Sequence, residues 1–351
     1  MKTNFDITSL IRENIKQLEP YSSARDEYKD ATTDEMIFLD ANENPFENGV
    51  NRYPDPYQNT VKDMLSEIKN IPKKNILLGN GSDEVLDLIF RVFCEPNKDN
   101  IITLPPTYGM YGVLANINAV ENRKVLLTDD FQPDVKAILK TADQHTKLLF
   151  LCSPNNPTGN SFSQKSIKEL LKKFKGLVVI DEAYIDFSEQ ESWLKHLSEF
   201  PNLIIAQTLS KAYGVAGIRM GSCYASKEII NLLNKIKPPY NVNELSQQKA
   251  INRLKKLDEV NNEIAQLVSE RKRLKKELEC CVNYIEKVYP SDGNFLLIKV
   301  DDATKRYNQL IELGVVVRNR TNQPKCENCL RISVGILEEN LKLIRSLKAI
   351  Q

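Results

Sequence analysis

Between about residues 75 and 235, short apolar runs alternate with longer stretches that carry apolar residues at helical spacing. Ile76-Leu77-Leu78, Ile101 to Leu104, Lys124 to Leu127, Leu148 to Cys152, Leu177 to Ile180 and Leu203 to Gln207 are strand candidates. Most are apolar throughout rather than at every second residue, as expected for strands buried on both faces. Val85 to Cys94 and Gln164 to Phe174 are helix candidates lying between them. This alternation predicts an α/β fold with a large domain on a mainly parallel, doubly wound sheet.

The pattern changes near residue 246. Ser246 to Val288 contains neither Gly nor Pro and places Ile251, Leu254, Leu257, Ile264, Leu267, Val268, Leu274 and Leu278 at helical spacing. One or two long amphipathic helices are expected there. Phe295 to Val300, Val315 to Arg318 and Leu330 to Val334 then read as strands, and Glu339 to Leu347 as a final helix. Together they predict a smaller α+β domain. The expected division is 36–245 for the large domain, with 1–35 and 246–351 forming the small one.

Composition narrows the function. A chain of 351 residues exceeds what one core usually holds, in keeping with two domains. Lys and Arg total 48 against 47 for Asp and Glu, so no basic field for nucleic acid is expected. No run approaches the roughly 20 apolar residues of a membrane span, and Met1 to Glu19 lacks the apolar stretch of a secretory signal. A soluble cytoplasmic protein is the expectation. The seven cysteines are odd in number and scattered, so they read as thiols. Cys326 and Cys329 form a C-x-x-C without a second pair at zinc spacing. Only two histidines, His145 and His196, are present. No metal site is expected, and neither a zinc hydrolase nor a Ser-His-Asp triad is indicated.

Five segments at strand ends or in loops carry candidate chemistry. Gly79-Asn80-Gly81-Ser82-Asp83-Glu84 joins a strand to a helix, where glycines admit a close ligand and the helix N-terminus favours an anion. Ser153-Pro154-Asn155-Asn156-Pro157-Thr158-Gly159 is a rigid turn able to hold the Asn156 amide in place. In Val179-Ile180-Asp181-Glu182-Ala183-Tyr184 an acid ends an apolar strand, which calls for a cation such as a protonated pyridine nitrogen. In Thr208-Leu209-Ser210-Lys211 the lysine, if desolvated, becomes a usable nucleophile, and Ser210 with Arg219 can share a phosphate. Arg331 lies inside the apolar run Leu330 to Val334 and needs an anion. Taken singly, each has a plain structural explanation: a helix cap, a turn, an acid paired with arginine, a surface lysine, an internal ion pair.

Jointly and in this order, the segments resemble the fold-type I aminotransferases of class I and II. The resemblance implies pyridoxal phosphate in a Schiff base with Lys211, which then shuttles a proton. It implies that Asp181 keeps the pyridine nitrogen protonated and that Tyr184 and Asn156 bond the ring oxygen. Tyr108 would stack on the ring, and Gly81, Ser82, Asp83, Ser210 and Arg219 would hold the phosphate. Tyr53 would reach that phosphate from a second subunit, which implies a homodimer with shared sites. Leu18-Glu19-Pro20-Tyr21, Leu39-Asp40-Ala41-Asn42-Glu43-Asn44-Pro45, Arg52-Tyr53-Pro54-Asp55 and Pro106-Thr107-Tyr108-Gly109-Met110-Tyr111 are similar to the histidinol-phosphate branch of that family. That branch implies amino transfer between a phosphorylated amino alcohol and 2-oxoglutarate, within histidine biosynthesis. Tyr21, Asn42, Arg320 and Arg331 are then the substrate candidates, with Arg318 competing with Arg320. A threonine-phosphate decarboxylase-like lyase and an aromatic amino-acid aminotransferase are the rival readings.

Overall fold

The structure is a computed structural model that describes residues 5–21 and 36–350. The large sheet contains β1 (Ile76–Asn80), β2 (Asn100–Thr103), β3 (Glu121–Lys124), β4 (Thr146–Cys152), β5 (Leu177–Asp181), β6 (Leu203–Thr208) and β7 (Met220–Tyr224), in the order β1-β7-β6-β5-β4-β2-β3. Pairings among β3, β2, β4, β5 and β6 are parallel, whereas β7 runs antiparallel to both its neighbours.

The unbroken apolar runs have a direct use. Successive strand residues point to opposite faces, so Leu149, Leu151, Val178, Ile180 and Ile205 enter one core. Leu148, Phe150, Val179, Ile204 and Ala206 enter the other. Helices Asn59–Lys69 and Gln164–Lys173 cover the first face through Val61, Leu65, Ile167 and Leu170. Helices Gly81–Phe93 and Lys227–Ile236 cover the second through Leu86, Ile89, Ile229 and Leu233. The sheet is therefore doubly wound.

Three elements depart from the expected pattern. β7 was not anticipated, because Met220-Gly221-Ser222-Cys223-Tyr224 has no continuous apolar run. It enters the sheet through backbone pairing with β1 and β6. β3 falls three residues before the apolar stretch Lys124 to Leu127; it is an edge strand with partly exposed side chains, so its register is not written in hydrophobicity. The helical stretch from Ser246 divides into Glu244–Leu254 and Leu257–Cys281, broken at the non-helical Lys256, and its last residues form β8 (Ile285–Val288).

β8 belongs to a second, antiparallel sheet with β9 (Phe295–Val300), β10 (Arg318–Asn319) and β11 (Cys329–Ser333), in the order β10-β11-β9-β8. Its core joins Leu274 and Leu278 of the long helix to Leu296, Ile298, Leu330, Ile332 and Leu347.

The N-terminal segment was expected on this smaller unit. Its described residues instead pack on the large sheet, with Leu10 and Ile15 buried beside Leu86 and Val92. The Arg12 N–H donates to the Val92 carbonyl at 3.0 Å and its guanidinium donates to the Arg91 carbonyl at 3.0 Å. These are last-turn carbonyls of helix Gly81–Phe93, which have no acceptor role inside the helix and favour a cation. Among the described residues, no helix is long and apolar enough to cross a membrane.

Candidate active site

The parallel strands β2, β4, β5 and β6 end on one edge of the sheet, where ligands of open α/β sheets collect. Each strand there feeds a candidate residue into a loop. Asp181 ends β5, Asn156 follows β4, Ser210 and Lys211 follow β6, and Ser82 and Asp83 open the helix after β1. A cavity of about 150 Å³ is lined by Ser82, Asp83, Tyr108, Asn156, Asp181, Tyr184, Ser210, Lys211 and Arg219, together with Cys152, Ala183 and Thr208.

The turn at Gly81 is held by backbone contacts. Gly81 has a φ of +74° and its N–H donates to the Arg219 carbonyl at 2.7 Å. A Cβ at Gly221 would lie 2.3 Å from the Gly81 carbonyl carbon and from the Ser82 nitrogen, so β7 can approach this turn only as glycine. Arg219 itself is left-handed, at φ +51°, which places a strained residue at the cavity. Its guanidinium lies 3.7 Å from Asp83, and Asp83 also accepts the Tyr108 hydroxyl at 3.1 Å.

Asp181 is buried, and desolvation pushes its carboxyl above the usual range, opposed by hydrogen bonds from Tyr111 and the Ala183 N–H. Those bonds measure 2.7 Å and 3.1 Å. Lys211 is exposed to the cavity, and its ammonium lies 5.9 Å from the centre of the Tyr184 ring. Partial burial, then the nearby guanidiniums of Arg331 and Arg219, hold its pKa below the ordinary lysine value. The Asn156 amide joins two parts of the site: its Nδ2 donates to Tyr184 Oη at 3.3 Å, and its Oδ1 accepts from Arg331 at 2.7 Å.

A second cavity, of about 550 Å³, shares Tyr108, Asn156, Tyr184 and Lys211 with the first and adds Arg318, Arg320 and Arg331. Arg318 pairs with Arg331 across β10 and β11, and Arg320, just after β10, donates its N–H to the Cys329 carbonyl at 2.8 Å, so the small sheet and the residue that follows its edge strand supply all three guanidiniums. The buried Nε atoms of Arg320 and Arg331 have no hydrogen-bond partner among the described residues. Burial and the charges of Arg331 and Arg318 lower Arg320 to about 10. Among the described residues, no carboxylate lines this cavity. Three guanidiniums gathered in this way favour an anion beside them. Both Arg318 and Arg320 line the cavity, so the structure brings both rivals to the site.

Tyr21, Asn42 and Tyr53 do not join Lys211 within one chain. They line a separate cavity of about 920 Å³ with Glu43, Arg52 and Tyr240. Glu43 binds the Arg52 guanidinium at 2.9 Å and accepts the Tyr53 N–H at 2.6 Å, so the segments around Asn42 and Tyr53 fold against each other. Tyr53 stacks on Tyr240 at 4.5 Å and remains 51% exposed. The residue that sequence reading missed is Tyr111. It stands in the quoted Pro106 to Tyr111 segment, but nothing in a linear pattern points its hydroxyl at Asp181.

The donor set fits pyridoxal phosphate. Ser210, Arg219 and the first N–H groups of helix Gly81–Phe93 suit a phosphate, Asp181 suits a protonated ring nitrogen, and Lys211 suits an aldehyde carbon. Residues 27–347 match the family described as "Aminotransferase class I and II", and the chain belongs to this family of pyridoxal-phosphate enzymes. It is 68% identical to the histidinol-phosphate aminotransferase of Flavobacterium johnsoniae over 344 residues, covering 98% of each chain. The histidinol-phosphate aminotransferase of Flavobacterium psychrophilum is 62% identical over 349 residues, 99% of each chain. In fold, the chain is similar to the crystal structure of the histidinol-phosphate aminotransferase from Clostridium acetobutylicum, with a TM-score of 0.79, 24% identity, and coverage of 86% of this chain and 91% of that one.

Proposed function

We propose that the enzyme moves an amino group between L-histidinol phosphate and 2-oxoglutarate, in histidine biosynthesis in the cytoplasm. The observation that carries this reading is the cluster of Arg318, Arg320 and Arg331, with the buried Nε atoms of Arg320 and Arg331 unpartnered among the described residues, in the cavity that also holds Lys211. One substrate presents a phosphate and the other carboxylates, and guanidinium forks accept both. The high identity to enzymes named for histidinol phosphate favours transamination over the lyase reading and over an aromatic amino acid as substrate.

When bound, pyridoxal phosphate supplies an electron sink that acidifies the proton on the substrate Cα. The chain does the rest. Lys211 would take up and return the proton of the substrate Cα, a task its lowered pKa suits. Asp181 keeps the ring nitrogen protonated. Tyr184, oriented by Asn156, would bond the ring oxygen, and Tyr108 would stack on the ring. Gly81, Ser82, Asp83, Ser210 and Arg219 hold the cofactor phosphate. Arg320 and Arg331 bind the substrate anion. Tyr53, Tyr21 and Asn42 serve the site of a second copy, so the working form is a homodimer with shared sites. The large domain spans 36–245 and carries residues 5–21 on its sheet, and 246–351 forms the small domain.

The test is a single-turnover screen of the purified holoenzyme. Histidinol phosphate should convert the cofactor to its amine form, read by absorbance. Conversion by phenylalanine but not by histidinol phosphate would reject the substrate, and carbon dioxide from a phosphorylated amino acid would favour the lyase.

A further inference from the structure

The two acids of the Lys211 cavity, Asp83 and Asp181, each receive a phenol from one short stretch of chain. Tyr108 donates to Asp83 at 3.1 Å, and Tyr111 donates to Asp181 Oδ2 at 2.7 Å. Tyr111 is fully buried and sits in the helix Met110–Ile117. It does not line the cavity. Its ring lies flat against Phe150 at 4.9 Å and 17°, and Phe150 in turn stacks on Phe90 at 5.3 Å. The edge of Tyr108 closes the other side, at 5.6 Å and 84°. Held between these rings, the phenol has no room to swing its hydroxyl away from the acid.

A carboxyl group in so dry a place tends to keep its proton. A protonated Asp181 has no charge with which to hold a proton on the cofactor ring. Donors to the ionised form oppose that tendency, and two are present among the described residues: the Ala183 N–H on Oδ1 and the Tyr111 hydroxyl on Oδ2. The tyrosine keeps its own proton, because burial and the adjacent Asp181 charge raise its pKa well above the ordinary value.

We propose that Tyr111 is a positioning residue, whose hydroxyl orients the Asp181 carboxylate and keeps it ionised towards the ring nitrogen of the cofactor. The proposal rests on the assignment of the Lys211 cavity to pyridoxal phosphate. A side chain that merely fills the core would contribute to stability but would be indifferent to the chemistry of that ring atom.

The discriminating experiment removes the ring nitrogen instead of the cofactor. The full-length enzyme is stripped of cofactor, and the affinities of pyridoxal phosphate and of its deaza analogue, with C–H in place of the ring nitrogen, are measured by fluorescence titration. Tyr111→Phe keeps the ring and its stacking and deletes only the donor. The expected result is a loss of about 10- to 100-fold in affinity for pyridoxal phosphate, the effect of one hydrogen bond to a charged group. The affinity for the analogue should change less than about twofold, because the interaction through which Tyr111 acts is already absent there. Equal losses for both compounds, or no loss for either, would overturn the proposal and leave Tyr111 a packing residue. If the unsubstituted enzyme binds neither compound, the cofactor assignment itself fails and takes the proposal with it. Replacement of Tyr111 by 3-fluorotyrosine, a stronger donor of almost the same volume, covers the case in which Tyr111→Phe does not fold. It should raise the preference for pyridoxal phosphate over the analogue, and an unchanged preference would count against the role.

Discussion

The Lys211 cavity and the Tyr53 cavity differ in kind. The first is small, about 150 Å³, and its polar groups are held by bonds from the same chain, as at Asp181 and Asn156. The second is open, about 920 Å³, and exposed apolar side chains line it: Tyr21 at 75%, Leu245 at 63% and Val50 at 49%. Exposed aromatic and aliphatic residues gathered in one area mark a surface meant for contact. The difference is between a pocket whose polar groups are already bonded within the chain and an open surface whose aromatic and aliphatic groups are not covered by it.

Substitutions can break or sharpen this contrast. The largest effect is expected from Lys211→Ala, which should lower the turnover rate on the order of 10⁴-fold, because general acid-base work accounts for that scale. Borohydride reduction of the native holoenzyme should place the cofactor mass on Lys211, and labelling of another lysine would remove this cavity from the reaction. Next comes Arg331→Met, with an expected fall of about 10²- to 10³-fold in kcat/KM for both substrates, as for truncation of one member of a buried charge pair. A loss for one substrate alone would show that the two anions use separate sites.

A smaller effect, roughly tenfold in cofactor affinity, is expected for Tyr53→Phe from one lost hydrogen bond to a phosphate. Here the decisive measurement is complementation. Mixed dimers of Tyr53→Phe and Lys211→Ala chains should regain part of the activity, since one of the two sites then has both residues. Absence of recovery would return Tyr53 to the surface of its own subunit.

The smallest effect concerns stability without cofactor. Burial raises the Asp181 carboxyl in the folded chain above its unfolded value. The sign follows from linkage: the unfolded chain ionises more readily, so the folded state is favoured at low pH and loses that advantage as pH rises through the raised pKa. Asp181→Asn should therefore raise the melting temperature of the cofactor-free enzyme by a few degrees at neutral pH, with the gain vanishing towards pH 4. An equal gain at both pH values would mean that charge burial is not the cause.

Much of this site was legible in the chain. The strand ends at Asp181, Asn156 and Lys211 were readable because continuous apolar runs announce buried strands, and polar residues that end such runs stand out. The arginine inside Leu330 to Val334 was visible for the same reason. What escaped were features without a linear signal. β7 consists of small and polar residues and is defined by its pairing to β1 and β6. Residues 5–21 of the N-terminal segment pack on the large sheet and not on the small one, because their few apolar residues do not say which surface will bury them.

The sequence by itself determined the buried parallel sheet, the chemistry available at its edge and the membership of the family, since burial and residue type are local properties of the pattern. Only the tertiary structure decided which of these groups meet. It joined three arginines, on or just after strands of the small sheet, to a lysine from the large one, turned the Tyr111 hydroxyl onto Asp181, and left Tyr53 apart from both. Those outcomes depend on how distant surfaces pack, and packing is settled by the whole chain at once rather than by any one stretch of it.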